Sequence, residues 1–304
     1  MKKSLIALAV LAASGASFAQ SSVTLYGIAD VVIHKDKDVS AAMTSGGVST
    51  SRLGFKGSED LGGGLNAIFK IERSIALDTG SDAGSWDRYA YVGLAGGFGE
   101  VKFGKTGTAF DDISGVSSSV FDSGKLSPNN LVWESVNYDW NPGNSIYYAT
   151  PSFGGVSAAL STTLKEGGTD QSNSFNVQYN GGPVYAGVAY QVDKRAEGDT
   201  KYTRVNGTYD LGAAKLLAGY GNVKNPAGVK TTDLSIGADV PLSASLVLSA
   251  GYASSKMDGA ERNSGLGVAV AYSLSKRTTV YGGYADTKNV GPDSRFGLGL
   301  KHTF

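Results

Sequence analysis

Cysteine is absent from this chain of 304 residues, and histidine and methionine are scarce, with two and three residues. A chain without cysteine has no disulfide, no thiolate metal site and no cysteine nucleophile. Two histidines are too few for an ordinary transition-metal centre, so we expect no metal and no other cofactor. The sequence also lacks any apolar run close to the roughly 20 residues that a membrane-spanning helix needs.

The first 19 residues have the organisation of a secretory signal peptide. Lys2 and Lys3 are basic, residues 5–11 form a short apolar run, and Ser17-Phe-Ala19 supplies the small residues that a signal peptidase requires. Cleavage before Gln20 is expected. A short transmembrane helix is the alternative, but the run is too short to cross a bilayer. Without the two lysines the chain has 25 basic and 27 acidic residues, a charge of −2, which is unlike a nucleic-acid-binding domain.

Glycine and tyrosine are abundant, with 43 and 16 residues, and the chain shows a period of two. In the last ten residues, Phe296, Leu298 and Leu300 alternate with Gly297 and Gly299. A strand of about ten residues with one apolar face spans a bilayer when it is tilted. An edge strand of a soluble sheet would alternate in the same way, so recurrence along the chain decides between the two.

The alternation recurs sixteen times along the chain. The predicted strands lie at about 23–33, 52–58, 65–75, 86–94, 100–105, 145–151, 156–164, 172–180, 184–194, 200–210, 213–224, 230–240, 244–256, 263–274, 277–287 and 295–304. Short turns and longer polar loops alternate between them, which is typical of an up-and-down membrane barrel. The sequence therefore predicts an all-β fold, an antiparallel transmembrane barrel of about 16 strands with an aqueous lumen. It forms one domain, residues 20–304.

Residues 106–144 interrupt this pattern. They have no sustained alternation and are rich in serine, aspartate, asparagine and proline. An irregular segment of this length inside a compact domain is unusual unless it has a function.

Several segments resemble the trimeric general-diffusion porins of β-proteobacteria, such as those of Burkholderia, Bordetella and Neisseria. The similar segments are Gln20–Gly27, Ser51–Leu65, Arg88–Leu94, Phe98–Lys105, Asn144–Gly155 and the terminal Phe304. The resemblance implies an outer-membrane barrel that assembles as a homotrimer, with one pore for each subunit. It also implies short periplasmic turns, a third loop that folds inward to narrow the pore, and a terminal aromatic residue that the barrel assembly machinery recognises.

The sequence departs from this family at two places. The Gly-Arg pair that usually closes the fifth strand is Gly104-Lys105 here, and Pro142-Gly143 stand where an arginine often precedes Asn144. The arginine cluster of the family's pores is therefore not carried over to these positions.

Pleat parity places a set of charged side chains in the predicted lumen. The basic candidates are Arg52, Lys56, Lys70, Arg88 and Lys102. The acidic candidates are Glu72 on the wall and Asp111, Asp112 and Asp122 on the long loop. Opposed charges across a narrow passage produce a transverse field and set the ion selectivity of a pore. We expect passive diffusion of ions and small hydrophilic solutes, with a modest anion preference because basic residues outnumber the acids nearby.

Other interpretations of the charged set and of the barrel remain open at this stage. The charges could form salt bridges that only hold the loop, and Lys56 and Lys102 could lie at the periplasmic mouth and act only by long-range steering. The barrel could be an adhesin or an anchor with a closed lumen, or an enzyme. A barrel enzyme would need a base beside a nucleophile, and neither His34, at the start of the first loop, nor His302, on the outer face, is a credible base. We therefore expect no enzymatic activity.

Overall fold

The computed structural model describes residues 22–116 and 124–304. The predicted signal peptide, residues 1–19, and Asp122 lie outside these ranges.

The described chain folds into one antiparallel sheet with sixteen long strands and two short ones, β2 and β5. The strands are β1 Ser22–Asp36, β2 Ala42–Ser45, β3 Arg52–Gly62, β4 Leu65–Ala76, β5 Ser81–Asp82, β6 Tyr89–Gly96, β7 Gly99–Lys105, β8 Ser145–Ala149, β9 Val156–Thr163, β10 Gln171–Gly181, β11 Val184–Arg195, β12 Gly198–Asp210, β13 Lys215–Lys224, β14 Lys230–Pro241, β15 Leu246–Met257, β16 Arg262–Ser273, β17 Thr278–Lys288 and β18 Ser294–Thr303. Each long strand pairs with the next one, and β18 pairs with β1 from Ile28–Thr303 to Asp36–Arg295. The sheet is therefore a closed barrel.

Burial along the strands is inverted relative to a water-soluble protein. The outward side chains of Val177 and Ile236 are 43% and 67% exposed. Their inward neighbours Asn176 and Ser235 are 1% and 6% exposed. An apolar outer surface around a polar interior is the arrangement of a transmembrane β-barrel. The predicted fold class is confirmed.

Two predicted connections are wrong in detail. The predicted strands 52–58 and 65–75 left residues 59–64 as a tight turn, but β3 continues to Gly62 through an irregularity between Asp60 and Gly62, so the turn is only Gly63-Gly64. The predicted strands 184–194 and 200–210 left residues 195–199 as one of the longer loops, yet only Ala196 and Glu197 separate β11 from β12. Glycine and charged residues in these places suggested turns, whereas backbone pairing carries the strands further.

His34 was expected at the start of the first loop, but it lies within β1. The alternation that marks β1 weakens after Ile33, where the charged residues His34, Lys35 and Asp36 suggested a loop. The strand nevertheless continues, because β18 pairs with it as far as Asp36.

The long segment between β7 and β8 folds into the barrel, as the family resemblance implied. Its described parts, residues 106–116 and 124–144, contain two short helices, α1 Asp111–Ser114 and α2 Pro128–Val132, and a 3-10 turn, Glu134–Val136. Helix α1 contacts β10, β11 and β12, and α2 contacts β15, β16 and β17 on the inner wall. Among the helices of residues 22–116 and 124–304, none has the length and apolar character needed to cross a membrane.

The inverted burial predicts how the barrel responds to a charge on its outer face. Ile236 lies in the middle of β14, so Ile236→Arg places a guanidinium near the bilayer midplane at a cost of about 2–4 kcal/mol. Urea unfolding in phospholipid vesicles measures the loss. Glu197→Arg, in the exposed turn between β11 and β12, is the matched control and should change stability little; equal losses in both variants would contradict the assignment of the outer face.

Candidate functional site

The part of the chain between β7 and β8 that the structure describes, residues 106–116 and 124–144, is here called the inward segment. It is held by polar side chains of the barrel wall. Ala109 N donates to Ser161 Oγ (3.0 Å), and Phe110 N donates to Ser174 Oγ (3.2 Å). Asn176 Nδ2 donates to the carbonyl oxygen of Ala109 (2.6 Å). A buried backbone group must be paired, and the wall residues supply the partners that water would otherwise supply.

Arg204, on β12, connects the two described parts of the inward segment, residues 106–116 and residues 124–144. It is 1% exposed, and its guanidinium donates to the carbonyl oxygens of Ser114 (3.0 Å) and Ser135 (2.9 Å). The guanidinium lies 5.5 Å from the ring centroid of Phe110 and 4.7 Å from that of Trp133. Its role could not be inferred from the sequence, where inward parity on β12 was the only signal.

Three of the predicted charged wall residues converge on one another. Glu72 is 1% exposed and accepts hydrogen bonds from Arg88 Nε (2.6 Å) and Tyr26 Oη (2.7 Å). Lys70 Nζ lies 3.4 Å from Glu72 and 3.6 Å from the ring centroid of Tyr89. Glu72 thus lies within the basic wall, as predicted from its strand, and offsets part of the charge of that wall.

The two remaining lysines of the predicted wall have other partners. Lys102 Nζ lies 2.5 Å from Glu100 and 4.6 Å from the ring centroid of Tyr147. Lys56 lies on the same strand as Arg52, with its Nζ 5.2 Å from the ring centroid of Tyr26. Neither lysine lines the cavity described below.

The acids of helix α1 are buried and hydrogen-bonded. Asp112 accepts from Tyr147 Oη (2.8 Å) and Asn176 Nδ2 (2.8 Å), and burial raises its pKa to about 6 against the effect of these donors. Asp111 accepts from Tyr138 Oη (2.5 Å), and burial raises its pKa as well. Burial disfavours the charged form of a carboxyl group, so both acids take up a proton at a higher pH than usual.

A polar cavity of about 720 Å³ lies between the wall and the inward segment. Arg52 and Arg88 line it from the wall, and Asp111 and Asp112 line it from α1. The other lining residues are Thr50, Tyr89, Ser114, Gly115, Val116, Asn129, Asn130, Trp133, Val136, Tyr138, Trp140 and Arg204. Lys70 is not among them. Charges of opposite sign on the two sides of a polar passage orient polar solutes and act on ions within it.

The terminal residue lies on the outer face where the barrel closes. Gly27 N donates to the carbonyl oxygen of Phe304 (2.9 Å), and Phe304 N donates to that of Gly27 (3.1 Å). The ring of Phe304 covers Gly27 so closely that a Cβ there would lie 2.4 Å from Phe304 Cζ. Glycine at position 27 therefore permits this contact.

No group of three or more histidine, aspartate or glutamate side chains within residues 22–116 and 124–304 is placed to hold a metal ion. The chemistry available at the cavity is that of fixed charges, hydrogen-bonding groups and aromatic faces.

Comparisons with known proteins agree on one family. Residues 5–292 match the profile of the Gram-negative porins. The chain is 36% identical over 276 residues to outer membrane porin protein 32 of Delftia acidovorans, covering 80% of this chain and 76% of that protein. It is 31% identical over 233 residues to the major outer membrane protein P.IB of Neisseria lactamica, covering 73% of this chain and 68% of that protein.

Among solved structures, the anion-selective porin from Comamonas acidovorans superposes with a TM-score of 0.81 at 27% identity, over 93% of this chain and all of that one. The profile match, the relatives and the closed barrel with a polar lumen together show that the chain belongs to the Gram-negative porin family, as an outer-membrane β-barrel channel for passive diffusion.

Proposed function

We propose that this channel passes ions and small hydrophilic solutes with a modest preference for anions, and that Arg52 and Arg88 facing Asp111 and Asp112 form its selective constriction. The shared cavity lining carries the proposal, because all four side chains reach the same space. The raised pKa of Asp111 and Asp112 weakens the negative side, whereas an arginine stays protonated throughout. The similarity to a structure described as an anion-selective porin supports the same sign.

The same proposal assigns roles to other parts of the chain. Residues 1–19 act as a signal peptide that is removed on export, residues 20–304 form the channel domain, and the loop at about 106–144 narrows the pore. Three copies assemble, each with its own pore, and outer-membrane lipid covers the apolar outer face. The barrel assembly machinery recognises the terminal strand through Phe304. Passive diffusion requires no catalytic residue.

Planar-bilayer recording of the purified protein tests the channel. Insertion should produce large conductance steps in multiples of three, and the reversal potential in a KCl gradient should have the sign of chloride preference. Absence of conductance would favour a closed-lumen adhesin or anchor. A potential of the potassium sign would contradict the assigned selectivity.

Removal of Arg52 should shift the selectivity toward cations. Arg52→Gln removes a positive charge that lines the cavity, and fixed charge at the narrowest point governs permeation. The reversal potential in a KCl gradient measures the shift. Lys56→Gln is the matched control, since Lys56 lies on the same strand about 13 Å further along and outside the cavity lining. Equal shifts in both variants would refute the assignment of Arg52.

Acidification should strengthen the anion preference. The pKa of Asp112 is raised to about 6, so its carboxyl is mostly charged at pH 7.5 and mostly protonated at pH 5. Protonation removes negative charge while the arginines keep theirs. Reversal potentials measured between pH 7.5 and pH 5 should therefore move toward chloride, and Asp112→Asn should reduce this movement. A wild-type potential that does not change with pH would contradict the placement of these acids.

A further inference from the structure

Between β2 and β3 the chain leaves the sheet and lies on the inner face of the barrel. Strand β2 pairs with β1 up to Val31–Ser45, and β3 pairs with β1 from Ile28–Arg52. Between these pairs β1 has the two residues Ala29 and Asp30, whereas the facing chain has six, residues 46–51. These six residues, here called the inner excursion, cannot stay in the sheet. Between the predicted strands 23–33 and 52–58 the sequence suggested only a polar loop, near residues 35–47, and nothing in the alternation pointed to an inward segment.

The carboxylate of Asp30 holds the inner excursion against the wall. Asp30 is completely buried, and its Oδ2 accepts hydrogen bonds from Val48 N (3.0 Å) and Ser49 N (2.7 Å). Its Oδ1 accepts one from Tyr281 Oη (2.5 Å), which reaches over from β17. Hydrogen bonds to an ionised acceptor are roughly twice as strong as neutral ones.

The backbone of Asp30 completes the attachment. Gly46 N donates to its carbonyl oxygen (2.8 Å), and Ser51 Oγ donates to the same oxygen (2.8 Å). Asp30 N lies 3.0 Å from Ser51 Oγ, to which it donates. One residue therefore binds the first, middle and last parts of the inner excursion.

The inward segment between β7 and β8 rests on the inner excursion. Lys125 N donates to the carbonyl oxygen of Gly47 (2.7 Å). Gly124 approaches so closely that a Cβ there would lie 2.1 Å from the same oxygen. Val48 packs in a buried apolar cluster with Leu126 of the inward segment and with three wall residues, Val32, Ala269 and Tyr281.

The inner excursion also reaches the solute path. Thr50 lines the cavity that contains Arg52 and Arg88, and Arg52 follows the inner excursion directly in the chain. The positions of Thr50 and Arg52 therefore depend on where the inner excursion lies.

We propose that Asp30 is a positioning residue of the channel: it fixes the inner excursion as a second inward element, which supports residues 124–126 of the inward segment and sets the place of Thr50 and Arg52 at the constriction. The consequence for permeation rests on the proposed function of the constriction. The attachment itself is tested separately, by chemical accessibility.

The chain contains no cysteine, so a single introduced one reports local opening. In Val48→Cys the thiol points into the buried cluster, and a water-soluble maleimide should modify it slowly in the folded channel. Adding Asp30→Ala should accelerate the modification at least about tenfold, because three hydrogen bonds to a carboxylate are lost. Asp30→Asn should lie between the two, since an amide oxygen still accepts from backbone N–H groups.

Asp239→Ala in the Val48→Cys background is the matched control. Asp239 is another carboxylate in a wall strand, where it accepts a hydrogen bond from Ser249, and its removal should leave the rate of modification unchanged. Tyr281→Phe provides a second variant that removes one donor to Asp30 without changing the charge, and it should accelerate modification several-fold even where Asp30→Ala does not fold. Unchanged rates in the folded variants at Asp30 and Tyr281, or equal acceleration by Asp239→Ala, would overturn the proposal.

Single-channel recording separates this proposal from that of the constriction. If Asp30→Ala accelerates modification and also changes the conductance or the current noise of the open channel, both proposals are supported. If modification accelerates while conductance and selectivity stay as in the parent, the attachment holds but its effect on the constriction is refuted. A channel whose selectivity does not respond to Arg52→Gln contradicts the assigned constriction and leaves the accessibility result valid.

Discussion

The structure depends on the pairing of its first and last long strands. In hydrocarbon an unpaired backbone N–H or C=O costs several kcal/mol, so a sheet can cross a membrane only when it has no open edge. The contact from Ile28–Thr303 to Asp36–Arg295 removes both edges at once. Closure then assigns every strand an inner and an outer face, and the alternation in the sequence decides which residues meet lipid and which meet water.

Apolar packing inside the barrel is confined to small clusters. Among the residues that the structure describes, four small apolar clusters each join wall residues to inward segments, as where Ile113 and Phe110 meet Ala189, Tyr202 and Val223. Around them, polar wall residues satisfy the loop backbone, and Arg204 connects its two described parts. The charged groups of the cavity are consequently held in place by packing and hydrogen bonds. The folded structure therefore fixes the electric field across the passage.

The sequence predicted the regular parts well because a period of two is a local property. Strands β10 to β18 lie within a few residues of their expected bounds, and parity placed Arg52 on the lumen side of β3, where it shares the cavity with Asp111 and Asp112. Arg88 was assigned to the lumen by parity within a predicted strand 86–94, and that reasoning is wrong: Arg88 precedes β6, on which the even-numbered Val92 and Leu94 are exposed on the outer face. It reaches the cavity from the connection before the strand. The inner excursion and the role of Arg204 were not predicted. Each depends on contacts between distant parts of the chain, such as Arg204 with Ser114, and no local pattern encodes such a contact. Glu72 was correctly placed on the same wall as the basic residues, but its hydrogen bond from Arg88 depends on such a contact and was not predicted.

The central claim is that one face of each strand meets lipid and the other does not. A scan of single cysteines through residues 175–180 of β10, each carrying a fluorophore in vesicles with brominated acyl chains, tests it most directly. Quenching should be strong at Phe175, Val177 and Tyr179 and weak at Asn176, Gln178 and Asn180. Uniform quenching along the strand, or quenching with the opposite parity, would contradict a closed barrel that keeps its polar face inside.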